Sequence, residues 1–251
     1  MQYVFGSGNM WATPTLDISG AAVVNPTPIK FGVLQDIAVD ISGDLKELYG
    51  QLQFPMDVAR GKSKISIKAK AAQINVENFN NIFFGQTLVT GQVLDYTDQT
   101  GTAIPTTPFT VTPTPPGSGV FSANLGVMDS NGIYYTLVAG TPTTGQYSIT
   151  AGAYLFAVAD TGKTVFIDYQ YTLSAAGKKV VITNQQMGTA PVFQVDLLMR
   201  NKGKSLIWSF PQCLSTKLSM ATKQDDYSIP EFDISAFANA AGQVLTISAN
   251  E

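Results

Sequence analysis

Strict alternation of apolar and polar residues is the feature that most limits how this chain can fold. Between Phe31 and Ser42, Val33, Ile37, Val39 and Ile41 fall on one side, and Asp36, Ala38, Asp40 and Ser42 fall on the other. From Lys64 to Lys70 the alternation is stricter, with Ile65, Ile67 and Ala69 against four polar residues. A period of two residues places successive side chains on opposite faces of a strand. Both segments are therefore predicted to be half-buried strands, each with one face toward solvent or a partner.

The same pattern returns near the C-terminus. Phe193, Val195, Leu197 and Met199 alternate with polar residues, and Leu206, Trp208 and Phe210 continue an apolar face after a turn at 201–204. Two alternating runs joined by a short Gly-containing turn are typical of a β-hairpin. Leu218, Met220 and Thr222 indicate a further strand. Only Val76–Phe84 has helical spacing, and Gly85 is placed to end that helix.

The middle of the chain has a different composition. Between Thr87 and Gly162 there is no Lys or Arg, and 100–119 is rich in Pro, Thr and Gly, which predicts an extended, exposed segment. Short strands separated by turn residues then predict a small β-sandwich. The predicted strands are Val120–Met128, Ile133–Val138, Tyr147–Thr150, Tyr154–Val158, Val165–Leu173 and Lys179–Thr183. We therefore expect an inserted domain over 91–183, with 1–90 and 184–251 forming the main antiparallel β-sandwich or barrel-like domain and its terminal arms.

The composition argues against most enzyme chemistry. The 251 residues include no histidine and one cysteine, so a histidine base, an internal disulfide and a thiolate metal cluster are excluded. Ala157–Thr164 (AVADTGKT) resembles a phosphate-binding loop, but a strand pattern follows where a helix is required, and a hairpin turn explains it better. Asp225-Asp226 lacks a calcium-loop pattern. A hydrolase using two carboxylates stays open on residue types alone. We expect a protein that has no enzyme activity and binds neither a cofactor nor a metal.

The charge balance is acidic, with a net charge of −3 and a pI near 4.9. Such a chain is not expected to hold nucleic acid or a membrane surface tightly. A lysine stripe (Lys62, Lys64, Lys68, Lys70) could bind phosphate, but a cross-strand match with Asp36 and Asp40 is favoured. No signal peptide or membrane span is predicted. We expect a soluble protein made in a reducing cytoplasm.

A long segment between the first two strands carries more apolar residues than a solvated loop should. Residues 43–63 exceed an ordinary hairpin loop, and loops of that length are usually functional. Apolar residues on such a loop predict that a neighbouring subunit covers them. The candidate inter-subunit contacts are Glu47, Leu48, Tyr49, Leu52, Phe54, Met56 and Arg60.

Several stretches resemble the tail tube (major tail) proteins of long-tailed bacteriophages. The first is LQDIAVDI from Leu34, followed by KELYGQLQFP from Lys46 and ARGK from Ala59. KAKA from Lys68, NFNNIFFG from Asn78, GQYSI from Gly145 and NQQMG from Asn184 continue the resemblance. ATKQDDYSIPEFD from Ala221 is similar to the family's C-terminal signature. Each motif is moderately specific, and together they cover nearly the whole chain.

The resemblance implies a β-sandwich with one flanking helix that assembles into hexameric rings, stacked as a hollow tube through which DNA is ejected. Long hairpin loops and terminal arms bridge successive rings in that family, and 43–63 occupies the matching place. An inserted sandwich decorates the tube exterior. The implied partners are other copies, the tape measure, terminator and baseplate or tip proteins, and DNA in transit. The implied location is the virion tail, after synthesis in the bacterial host.

Within the hollow tube that the resemblance implies, the polar stripe of a long strand is the candidate for the lumen surface. Each neutralised phosphate adds affinity, so a conduit for DNA should not be cationic. We expect Asp36 and Asp40 to face the lumen. The objection to this assignment is the nearby lysine stripe, which would attract DNA if it shared their face. An alternative function is a receptor- or carbohydrate-binding β-sandwich of a tail tip or fibre, with Tyr134, Tyr135, Tyr147 and Tyr154 as binding aromatics.

Overall fold

The computed structural model describes residues 3, 6–73, 75–222 and 224–250. Lys223, in the C-terminal motif, and Glu251, the last residue of the extended tail, lie outside the described residues. The chain divides into two compact units, one of Met1–Leu88 with Val180–Glu251 and the other of Val89–Lys179. Both units are built mainly from antiparallel strands, which confirms the mainly β fold class.

The elements follow the chain from the first unit into the second and back. The first unit begins with β1 (Asn9–Leu16), β2 (Ile29–Lys30), β3 (Leu34–Tyr49), β4 (Pro55–Ala71) and α1 (Val76–Phe79). The second contains β5 (Leu88–Tyr96), β6 (Thr102–Ala103), β7 (Thr110–Val111), β8 (Val120–Asp129), β9 (Thr136–Leu137), β10 (Gln146–Thr150), β11 (Ala153–Phe156) and β12 (Thr164–Val180). The first unit resumes with β13 (Val192–Asn201), β14 (Lys204–Ser219), β15 (Glu231–Ala236) and β16 (Thr246–Ala249).

The described strands of the first unit form one sheet in the order β2-β1-β13-β14-β15-β4-β3, with β16 also paired to β14. The apolar side chains predicted from alternation line its inner face, and Phe193, Phe210 and Ile234 are fully buried there. Ile37 and Val39 of β3 line the same groove as Leu197 and Trp208. The sheet therefore curls around its own core.

The predicted helix is present and packs on that core. α1 continues as a π-helical turn over Asn80–Phe84, and Gly85 ends it in the left-handed conformation at φ 61°. Ile82 is buried, and the Phe79 ring centroid lies 5.7 Å from that of Phe232. The helix therefore depends on tertiary contact, as its Asn-rich sequence predicts.

The second unit is a sandwich of two sheets. Among its described strands, one sheet has the order β7-β11-β10-β9, and the other places β5, β6 and β8 around β12. Inward side chains of both sheets, including Tyr154, Phe156, Val165 and Tyr169, share one core. The prediction of a separate strand at Lys179–Thr183 was wrong, because β12 runs without a break to Val180. Gly177 adopts a positive φ of 75° there, which lets the strand bend at the expected turn instead of ending.

Candidate assembly surface

Residues 43–63 form a two-stranded arm with two register shifts, at Gly43–Leu45 and Leu48–Tyr49, and not the loop that the sequence predicts. β3 and β4 remain paired far beyond the core, with Leu45 opposite Arg60, Glu47 opposite Val58 and Tyr49 opposite Pro55. The alternation fails in this segment because no described residue covers either face of the arm. When neither face of a strand is buried, burial does not select apolar residues for one face and polar residues for the other.

The tip of the arm is strongly apolar and exposed. Leu52, Phe54 and Met56 expose 78%, 80% and 74% of their surface, and Leu48 and Tyr49 are also exposed. Side chains of this kind in one contiguous place usually mark an interaction surface. The structure thus brings the predicted apolar contact residues together at one end of the arm.

The charged members of the predicted set lie closer to the root. Glu47 accepts a hydrogen bond from the Tyr49 hydroxyl, which raises the pKa of Tyr49. The Asp57 carboxylate accepts from the Val58 amide. No charged residue lies between Glu47 and Asp57, so the first charges on either side of the tip are both acidic. Arg60 lies further back, opposite Leu45.

β3 is also the last strand of its sheet in the described part of the chain. One edge of this 16-residue strand pairs with β4, and no described strand pairs with its other edge. A long unpaired edge presents backbone donors and acceptors to any extended segment that approaches. Proteins add partner strands at such edges.

An apolar groove opens on the inner side of the same sheet. Its volume is about 280 Å³. It is lined by Gly6, Ser7, Ile37, Val39, Leu197, Met199, Leu206 and Trp208. Alternation predicts the inward orientation of these side chains, but it does not show that the sheet leaves this part of its inner face open.

A basic turn borders the groove. Met199 and Leu206 are paired across β13 and β14, and the turn between them carries Arg200, Lys202 and Lys204. None of the three cations forms an ion pair with a described residue. The groove itself has no charged residue in its lining.

Asp36 and Asp40 lie on the outer, exposed face of β3, on the same face as the lysine stripe. Asp36 is opposite Lys70, and Asp40 is opposite Ser66. The favoured cross-strand match is therefore present in the register for Asp36 and absent for Asp40. The close ion pair, however, joins Lys70 Nζ to Glu231 Oε1 on β15 at 3.1 Å.

Further charges extend this mixed face across β15 and β14. Lys217 Nζ lies 3.7 Å from Glu231 Oε2, and Asp233 is opposite Lys68. The hydrogen bond and charge of Lys70, joined by Lys217, hold the pKa of Glu231 below its usual value. Carboxylates and lysines thus alternate over this face, and the lysine stripe does share the face of Asp36 and Asp40.

The tyrosines proposed as glycan-binding aromatics are mostly core residues. Tyr135, Tyr147 and Tyr154 are buried, and burial raises the pKa of Tyr154 above its usual value. The Tyr154 hydroxyl donates to Asn124 Oδ1, whose amide donates to the Tyr147 hydroxyl. Only Tyr134 of the four is exposed, so this set offers no aromatic platform for a ligand.

The segment resembling a phosphate loop is a turn between the two sheets of the second unit. A 3-10 turn over Val158–Asp160 follows β11, and β12 begins at Thr164, so no helix N-terminus is available for phosphate. The hairpin interpretation was wrong in one respect, because β11 and β12 belong to different sheets. Asp160 is fully buried there and accepts from the Gly145 amide and from Lys163 Nζ at 2.8 and 2.7 Å.

Reactive and metal-binding groups are sparse in the described residues. Burial raises the pKa of the Cys213 thiol to about 12, and the side chain is in the core. No group of three or more carboxylate, thiol or imidazole side chains is placed to hold a metal ion within the described ranges. Over those same ranges, no helix has the length and apolar character needed to cross a membrane.

No protein-family model matches the chain, and no curated protein matches it.

Proposed function

We propose that this protein is a structural subunit that assembles with copies of itself into the tail tube of a long-tailed bacteriophage. The observation that carries the proposal is the arm formed by β3 and β4, whose exposed apolar tip has no covering partner among the described residues. The resemblance of the chain to tail tube proteins supports the proposal, because it implies a ring-bridging hairpin at the same position. Rings of six copies, stacked by these arms, would cover the tip.

The free edge of β3 supports the same proposal. In a closed ring, each copy presents one surface to the neighbour on one side and a different surface to the other. An unpaired edge strand paired with the next copy satisfies its backbone groups and removes an aggregation hazard. The proposal therefore gives a role to the exposed apolar tip and to the unpaired edge of β3, both of which are unfavourable in an isolated chain.

The outer face with Asp36 and Asp40 is proposed to line the channel. Affinity for DNA grows with each phosphate that a protein cation neutralises. On this face Lys68 and Lys70 lie beside Asp233 and Glu231, and these carboxylates compete with phosphate for the two lysines. Such a wall would let DNA pass without holding it.

Electron microscopy of the purified full chain tests the proposal. We expect rings and stacked tubes from the wild type. The triple variant Leu52→Ser, Phe54→Ser, Met56→Ser should remain folded, because these side chains are exposed, but should fail to stack. The matched control is Ile133→Ser with Tyr134→Ser, two exposed apolar residues of the second unit, which should assemble normally. Monomers or closed small oligomers from the wild type at all concentrations would contradict the proposal.

A further inference from the structure

The arm tip and the groove beside Trp208 have matching chemistry. The tip presents Leu52, Phe54 and Met56 to solvent. The groove is lined mainly by apolar side chains and one indole, and the hydroxyl of Ser7 in its lining donates to the Leu34 carbonyl. An apolar cavity of about 150 Å³ already accommodates benzene. The groove volume of about 280 Å³ is therefore sufficient for one aromatic side chain with aliphatic neighbours.

The charges around the two surfaces are complementary. Glu47 and Asp57 flank the uncharged tip, and the turn with Arg200, Lys202 and Lys204 flanks the uncharged groove. Neither these two carboxylates nor these three cations form an ion pair with a described residue. Opposite charges around two apolar surfaces favour their association in one orientation.

The tip cannot enter the groove of its own chain. Val39 lines the groove, and the paired ladder continues from it along β3 to Tyr49. At a rise of roughly 3.3 Å per residue, these ten steps place Tyr49 about 33 Å beyond the groove. An extended arm therefore reaches only the groove of another copy.

We propose that the tip of the arm, residues 48–56, docks in the Trp208 groove of a second copy, where Glu47 and Asp57 meet the basic turn 200–204. The donor and acceptor surfaces differ, so each copy donates one arm and receives one, and the contact repeats head to tail. This inference rests on the proposed function and identifies the receiving site of its stacking contact.

A mixed cross-linking experiment tests the docking directly. Full-length Gln53→Cys and full-length Ser7→Cys are mixed under oxidising conditions, with native Cys213 retained because it is buried. The tip thiol and the groove thiol should form a disulfide between copies, and neither variant alone should do so. Ser130→Cys, an exposed serine of the second unit, is the matched control and should give no cross-link with Gln53→Cys.

Charge reversal provides the second measurement. Glu47→Lys with Asp57→Lys should raise the concentration required for assembly about tenfold, as should Arg200→Glu with Lys202→Glu. All four substitutions in one chain should restore assembly. If the wild type forms tubes and the tip variant does not, but neither the cross-link nor the charge rescue is seen, the docking site is wrong and the proposed function stands. If the wild type forms no assembly, both are overturned.

Discussion

At the scale of single residues, the second unit depends on a few carboxylates that organise turns. Asp160 is the clearest case, because its side chain is fully buried and holds both the Gly145 amide and Lys163 Nζ. The sequence shows only a short polar turn at this position. Asp160 is buried because the chain passes here from one sheet of the second unit to the other. No local sequence pattern encodes that passage.

Replacing Asp160 by alanine should destabilise the second unit. The Gly145 amide loses its charged acceptor, and hydrogen bonds to charged groups contribute about 1.5–3 kcal/mol each. Lys163→Ala is the matched control and should cost less, since the lysine side chain is half exposed and Asp160 keeps the amide. Urea unfolding of the full chain, with hydrogen exchange of peptides covering 140–165, measures both effects. Equal losses in the two variants would contradict the assignment.

Asp98 should make the second unit sensitive to acid. Burial raises the pKa of Asp98, but hydrogen bonds from Gly101, Thr100 and Ile167 outweigh it and hold the pKa below the ordinary 3.8. A pKa lowered by folding adds stability above the unfolded pKa, and that stability is lost as the pH falls through the folded pKa. The unfolding free energy should therefore decrease below about pH 4.

The conservative variant Asp98→Asn isolates this contribution. It keeps an acceptor oxygen but cannot titrate, so the variant should be less stable than the wild type at pH 7 and should lose less stability between pH 5 and 3. Denaturant midpoints across that range measure the difference. An unchanged pH dependence in the variant would contradict the role of Asp98.

At the scale of elements, alternation identified the half-buried strands and failed where burial is two-sided or absent. β3, β4 and β13 were predictable because each has one face on the core. The sequence of the arm predicts a loop because both of its faces are exposed and alternation is absent. The sequence does not reveal that Tyr147 and Tyr154 are buried, since alternation identifies which residues share a face but not what covers it.

Substitution of the glycine that ends the helical segment tests the packing of this element. Gly85 has a φ of 61°, and a Cβ at this position would collide with Ile18 Cγ2. Gly20 also has a positive φ, of 82°, but has open space around it. Gly85→Ala should thus cost more than the 1–2 kcal/mol or so typical of a left-handed residue, and Gly20→Ala should cost about that amount. Comparable thermal midpoints for the two variants would show that the collision is relieved.

At the scale of the whole molecule, the contacts that matter for the proposed function come from distant parts of the sequence. The groove joins β3 to β13 and β14, more than 150 residues apart in the chain. The mixed-charge face joins β3, β4, β14 and β15. The sequence predicted that Asp36 and the lysines face solvent or a partner. Only the strand order shows that Glu231 and Asp233 lie among them.

This distribution of charge predicts that the protein binds double-stranded DNA weakly. The wild type should retain no double-stranded DNA at about 0.15 M salt, because Glu231 and Asp233 compete with phosphate for Lys68, Lys70 and Lys217. Asp36→Lys with Asp40→Lys should create binding that weakens steeply with salt, by about one unit of logarithmic slope for each phosphate neutralised. Asp225→Lys with Asp226→Lys makes the same change in net charge in the segment between β14 and β15, outside the strands that form this face, and is the matched control.

Filter binding across a salt series measures all three proteins on the same DNA. If the face is arranged to avoid phosphate, only the variant at Asp36 and Asp40 gains a strong salt-dependent affinity, because its new cations join lysines already in place. Equal gains in the two variants would mean that net charge alone governs contact with DNA. Tight binding by the wild type would mean that the carboxylates do not screen the lysines, and this face would then be unsuited to a channel through which DNA must slide.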